Sequence, residues 1–242
     1  MSYNSDTHLV VIPTYNEIDN IAEFITKILE FNVSLLIVDD NSPDGTGEFV
    51  ETILDQNNKI HLLKRNSKLG LGSAYRDGFK WGLARDYEYF IEMDADFSHS
   101  FEDLEKILNK SLSFELVIGS RYVNGGGSVG WDLKRRLLSK YANKFSSIFL
   151  KSNINDMTSG FRCYSRNALE KADYANTKSD GYAFQIEMSL RCTEKNLLID
   201  EVPIIFNERR LGKSKMSKKI VREAFVFLIK NGVKRWLKIK IF

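Results

Sequence analysis

The 242-residue chain is predicted to be an α/β protein, a mostly parallel sheet flanked by helices, with a basic amphipathic helix at its C-terminal end. Two observations predict the sheet: short β-branched runs that stop at turn residues, and stretches of helical period between them. A third predicts the tail, because residues 209–242 hold 12 of the 35 Lys and Arg and a single acid, Glu223. That segment is +11, whereas the preceding 208 residues, with 23 basic and 31 acidic side chains, are −8. A block of one sign asks for an anionic partner: phosphate, nucleic acid or an acidic membrane surface.

Residues 9–12 read as the first strand, ending in Pro13-Thr14-Tyr15-Asn16-Glu17. Ile18, Ile21, Ala22, Ile25, Ile28 and Leu29 then fall on one helical face. Residues 35–39 are the second strand, running into Asp39-Asp40-Asn41-Ser42-Pro43-Asp44-Gly45, and Phe49, Val50, Ile53 and Leu54 form the next helical face. Strands at 60–63, 89–93 and 116–120 follow, the fourth of the series leading into Asp94-Ala95-Asp96. A Gly-rich stretch over 124–130 precedes a long helix over about 133–150, and mixed short elements elaborate the same domain. With 43% hydrophobic and 12% aromatic residues the chain can bury one large core. No run of eighteen apolar residues and no basic start before an apolar stretch occurs, so neither a span nor a signal peptide is expected. Cys163 and Cys192 lack neighbours at ligand spacing and read as reduced core thiols.

Ligands of an open parallel sheet bind beyond the carboxyl ends of its strands, and here three strand ends are polar and acidic. Asp94 and Asp96, behind an apolar run, suit a hard divalent ion that takes its other ligands from water and substrate phosphates; the alternative is a turn with Asp caps. Asp39 and Asp40 suit ribose or base recognition, since adjacent carboxylates repel unless something uses them, but the same run could simply cap a helix at Thr46. Lys68-Leu69-Gly70-Leu71-Gly72 resembles a phosphate cradle without having the spacing of one. Arg121, Lys134, Arg135, Arg136, Arg162, Arg209 and Lys215 are candidate phosphate contacts, or else solvated surface cations. His8 and His61 read as strand or surface residues, with His99 a minor candidate beside the acidic pair.

The segments VVIPTYNE, IVDDNSPDGTG, LGLGSAYRDG, MDADFSHS, GSRY, GWDLKRR, TSGFRCY, GYAFQIEM and EVPIIFNERRLGKSK together resemble the dolichyl-phosphate mannose synthases, from Val10 to Lys215. The first, second and fourth are shared by family-2 glycosyltransferases at large; GWDLKRR and the EVPI to SK segment are particular to the polyprenyl-phosphate branch. The resemblance implies a GT-A fold with a Rossmann-like sheet, and an inverting transfer of mannose from GDP-mannose to dolichyl or another polyprenyl phosphate. It implies that Pro13, Tyr15, Glu17, Val38 and Asp40 hold the nucleoside, while Asp94, Ala95 and Asp96 hold the diphosphate and a Mg2+ or Mn2+ ion. Arg121, Arg209 and Lys215 match contacts to nucleotide-sugar or acceptor phosphates, and Arg135, with Arg121 and Arg162, falls to the acceptor phosphate. Ser98 stands where members carry Gln, which leaves the third metal ligand open to water.

The expected division is a catalytic domain over 1–216 and a basic helix over 217–242. Ile220, Val221, Ala224, Phe225 and Leu228 recur at helical spacing among Lys and Arg, which suits a helix in the interface of an anionic bilayer, or one packed on the core with a solvated basic face. The expected place is peripheral, on the cytosolic face of a membrane, with small membrane-anchoring subunits as possible partners and no nucleic acid. The rival donor is UDP-glucose. A sugar nucleotidyltransferase would need a Gly-rich loop with a Lys where residues 9–17 offer neither, and the intact DAD argues against a non-catalytic membrane subunit.

Overall fold

The computed structural model describes residues 3–208 and 218–239. A seven-stranded sheet has the order β3-β2-β1-β4-β7-β5-β8, built from β1 (His8–Thr14), β2 (Ser34–Asp39), β3 (Ile60–Lys64), β4 (Tyr89–Glu92), β5 (Leu116–Ser120), β7 (Arg162–Ser165) and β8 (Ile199–Pro203). Every pairing is parallel except the two that β7 makes with β4 and β5. The short strands β6 (Gly127–Val129) and β9 (Ile205–Asn207) form a separate parallel pair.

The period of two along each strand explains why these runs are apolar throughout. In β1, Leu9 and Val11 point into one hydrophobic cluster while Val10 and Ile12 point into another; Leu36 and Val38 of β2 join the first, Leu35 and Ile37 the second. Helices α1 (Ile18–Leu29), α2 (Thr46–Glu51) and α4 (Phe101–Ser111) cover the second face. The first face is covered by α3 (Leu71–Leu83), α6 (Arg166–Lys171), α7 (Gly181–Glu194) and α8 (Lys218–Trp236). The helix expected to run through Leu54 stops at Glu51, and the chain passes into a 3-10 turn over Leu54–Gln56.

Helix α5 (Leu133–Phe149) lies where the sequence puts it but is turned inside out. Its buried residues are Asn143 and Ser146, while Leu133, Leu137, Leu138, Tyr141, Phe145 and Ile148 are exposed. A helix on a globular core normally does the reverse. Helix α8 does both: Leu228 is in the core with Ala224 and Phe227 packed on it, whereas Val221, Phe225, Val226, Ile229 and Val233 face outward. The interfacial stripe expected from the sequence is therefore corrected at Ala224 and Leu228, which face the protein. No helix among the described residues is long and apolar enough to cross a membrane.

Candidate functional site

The parallel direction of β1, β2, β4 and β5 brings their carboxyl ends to one rim, and the strand-end residues collect there. The chain turns sharply after three of these strands, with positive φ at Asn16, Asn41 and Phe97. Asparagine tolerates that region, but a bulky aromatic does not, so Phe97 is a strained residue between Asp96 and Ser98. Its ring packs against Phe24 and Phe101, which fixes the turn.

In that turn Asp94 is half-buried and Asp96 buried, with Asp96 Oδ1 accepting the Ser98 N–H at 3.0 Å. The turn is tied to β9, since Asn207 N–H donates to the Ser98 carbonyl at 2.9 Å. Ser98 Oγ is buried with no protein hydrogen-bond partner. Among the described residues no group of three His, Cys, Asp or Glu converges to hold a metal. Two carboxylates beside an unmatched hydroxyl nevertheless fit a hard ion that keeps water and phosphate ligands. His99 is buried between Phe161 and Phe206, and burial lowers its pKa to about 4, so it stands neutral behind the pair.

Asp39 and Asp40 diverge. Asp39 accepts from Thr14 Oγ1 at 2.8 Å and from Ser42 N at 2.9 Å, whereas Asp40 meets Arg65 Nη1 at 2.6 Å. Burial pushes the Asp40 carboxyl above its usual value against the pull of Arg65. The protein thus supplies partners for both acids, which removes the repulsion from which their ligand-binding role was first inferred. Tyr15 lies under Lys68, whose Nζ is 3.9 Å from the ring centroid, and Glu17 leads into α1 with its N–H on Thr46 Oγ1. Pro13 is half-buried at the end of β1. Val38 and Ala95 place their side chains in the core.

Two cations follow from β5 onwards. Arg121, directly after β5, is gripped bidentately by Asp156, Nε to Oδ2 and Nη2 to Oδ1 both at 2.7 Å, and Nη2 also reaches Thr158 Oγ1 at 2.9 Å. Burial alone would raise Asp156, yet the Arg121 charge and hydrogen bonds hold it below its ordinary value. The Arg121 guanidinium lies 5.5 Å from the Trp131 ring centre and that of Arg135 4.2 Å, so one indole gathers both cations. Arg135 is exposed at the start of α5 and pairs loosely with Glu208 at 3.3 Å. Sequence reasoning passed over Arg65, Trp131, Asp156 and Phe206; the only signal for Trp131 was its place inside GWDLKRR.

Arg162 is not a phosphate contact. It is fully buried in β7 and donates to the carbonyls of Ser159, Gln185 and Met157, to Ser189 Oγ at 2.8 Å and to Tyr164 Oη at 3.3 Å. Its guanidinium is consumed in joining β7 to α7. The Lys68–Gly72 stretch is no phosphate cradle either, because Asp180 Oδ1 accepts the Ser73 N–H at 3.1 Å and occupies the start of α3. His8 is a core residue stacked on Tyr89 at 4.4 Å, and His61 is half-buried against Trp81. Cys163 and Cys192 are free and buried. Arg209 and Lys215 lie outside the described residues.

Residues 9–172 match the model of the glycosyl transferase family 2. A polyprenol monophosphomannose synthase of Mycolicibacterium smegmatis is 44% identical over 230 residues, 93% of this chain and 87% of the relative. An undecaprenyl-phosphate mannosyltransferase of Micrococcus luteus is 42% identical over 231 residues, 94% of this chain and 95% of the relative. Among solved structures, a mannosyltransferase from Pyrobaculum calidifontis in complex with GDP-Man and Mn2+ superposes with a TM-score of 0.62 at 15% identity, over 99% of this chain and 66% of that one. The TarS protein of S. aureus gives 0.59 at 16% identity, over 98% of this chain and 67% of that one. At such identities the two structures speak to the fold alone.

Proposed function

The chain belongs to glycosyl transferase family 2, and from that premise we propose that it transfers a mannosyl residue from GDP-mannose to a polyprenyl phosphate, with inversion. One observation carries the choice of acceptor. Arg135, an exposed cation at the mouth of the site, opens a helix whose outward side chains are Leu133, Leu137, Leu138, Tyr141, Phe145 and Ile148. A phosphate site that continues into an exposed apolar helix suits a ligand made of a phosphate and a long hydrocarbon.

The nucleoside then lies over Pro13, Tyr15, Glu17 and Asp40 and the backbone of Val38, with the diphosphate towards Asp94, Ala95 and Asp96. A magnesium or manganese ion held by Asp94 and Asp96 would supply positive charge to the departing diphosphate. A phosphate monoester is already ionised near neutral pH, so no side chain has to remove a proton from the nucleophile. The work of the chain is to hold the acceptor oxygen behind the anomeric carbon and to balance charge on the leaving group. Arg121, aimed by Asp156, and Arg135, aimed by Trp131, serve that end. An α-linked donor gives a β-linked product.

Residues 1–216 carry the transfer in this reading, and residues 217–242, with the outer face of α5, seat the chain peripherally on a bilayer. Radiolabelled transfer with GDP-mannose and UDP-glucose against dolichyl and undecaprenyl phosphate tests it. GDP-mannose is expected to label a lipid phosphate in a divalent-ion-dependent reaction; labelling from UDP-glucose alone would move the chain to glucosyl transfer.

A further inference from the structure

The single acid of the basic C-terminal segment, Glu223, is turned inward. It is half-buried on α8, and its Oε1 accepts the backbone N–H of Asp180 at 3.0 Å, at the opening of α7. The Asp180 carboxylate in turn accepts the Ser73 N–H in the first turn of α3. It also fills the space beside Gly70 and Gly72, where a Cβ would come within 2.6 and 2.8 Å of its oxygens. That close approach, with the Ser179 carbonyl 2.7 Å from a Cβ at Gly72 and a φ of +103° at Gly70, accounts for the two glycines. The Ser73 hydroxyl receives Arg65, which holds Asp40, and Leu69 N–H reaches Asp40 Oδ2 at 3.3 Å. Lys68 of the same stretch covers Tyr15. Polar contacts therefore run unbroken from α8 to the rim where Asp40 and Tyr15 sit.

We propose that Glu223 is a positioning residue for the nucleotide pocket, acting through Asp180 and residues 68–73 on Asp40 and Tyr15. The inference rests on reading that pocket as the donor site. The local supports separate this role from plain folding. Glu187 Oε2 accepts the N–H groups of Lys178 and Ser179 at 3.2 and 3.1 Å, so the stem of the turn stays tied when Glu223 is lost. Only its tip, Asp180, loses an acceptor. A partly buried N–H that loses its acceptor is destabilised, and the tip relaxes by moving off the start of α3. The loop over Asp40 and Tyr15 then loses its backing. Seating α8 and shaping the donor pocket become parts of one arrangement.

Calorimetric titration of the full chain with GDP-mannose, alongside donor and acceptor kinetics, tests this in wild type, Glu223→Ala and Glu223→Gln. Glu223→Ala is expected to weaken donor binding and raise donor KM by about tenfold, with kcat, acceptor KM and vesicle co-sedimentation near wild type. Glu223→Gln keeps an oxygen for the Asp180 N–H and is expected to restore most of the donor affinity. Unchanged donor binding in Glu223→Ala, or a loss shared equally by donor and acceptor, overturns the proposal while leaving the function intact. A wild-type chain that binds no GDP-mannose overturns the donor reading and this inference with it. Should Glu223→Ala fail to fold, Asp180→Ala carries the test: it keeps the backbone N–H bonded to Glu223, removes the acceptor of the Ser73 N–H at the start of α3, and is expected to raise donor KM. An unchanged donor KM there is equally decisive against the proposal.

Discussion

Asp96→Ala is the sharpest test at the scale of single residues. Asp96 Oδ1 accepts the Ser98 N–H, and the Phe97 ring packed on Phe24 and Phe101 holds the turn, so the substitution removes half of the carboxylate pair from a turn that keeps its anchor. Transfer is expected to fall by more than tenfold at saturating magnesium or manganese, with thermal melting near wild type; residual activity above a tenth of wild type would remove Asp96 from the metal site. Arg135→Ala should act on the other substrate. An exposed guanidinium that meets a phosphate is worth about tenfold, and the loss is expected in acceptor KM, with GDP-mannose binding by calorimetry unchanged. Equal loss in donor binding would move Arg135 to the nucleotide side. The place of a single residue is legible where it follows directly from the end of a strand, as for Asp94 and Asp96 in the turn after β4. Single residues were misread where a partner distant in sequence decides the role. Arg162 looks like any other cation of the second half until Gln185 and Ser189 are seen to surround it, and Asp40 looks unmatched until Arg65 arrives from 25 residues on.

Elements were read well where one period dominates. Strands β1 to β5 alternate with covering helices and were found to within a residue or two at each end. Strand β7 escaped because it has four residues, one of them a buried arginine, and β8 because an edge strand carrying Asp200 and Glu201 does not read as a sheet member. Helix α5 was located but not understood, since periodicity gives the face and not which way it points. Its outward side chains give the prediction at this scale. Leu137→Glu combined with Phe225→Glu is expected to lower sedimentation with anionic vesicles by more than tenfold, since each apolar side chain lost from a bilayer is worth about 1.5–3 kcal/mol. Melting should stay near wild type because both side chains are exposed. A large fall in melting temperature would return these helices to the core. Cutting the chain after Ser217 is a blunter experiment, because Leu228 would leave the core with the tail.

For the whole molecule, a neutral histidine inside the sheet ties stability to pH. His8 has no exposure, stacks on Tyr89 and lies 3.2 Å from Ser111 Oγ; burial lowers its pKa from 6.5 to about 4. Between those values the unfolded chain binds a proton that the folded chain refuses, so this contribution is complete above pH 6.5 and is lost as pH falls towards 4. The loss reaches up to about 3 kcal/mol. Denaturant unfolding of wild type and His8→Gln between pH 7 and 4.5 should give a shallower slope for the variant; parallel slopes would assign the acid sensitivity elsewhere. The outward apolar face of α5 has a different kind of consequence. In the proposed reading an acceptor that reaches Arg135 along that face never leaves its lipid phase, so encounter takes place in two dimensions. The turnover of a seated enzyme then follows the mole fraction of acceptor in the leaflet, whatever its bulk concentration, and inert lipid added to a fixed amount of acceptor acts as a diluent.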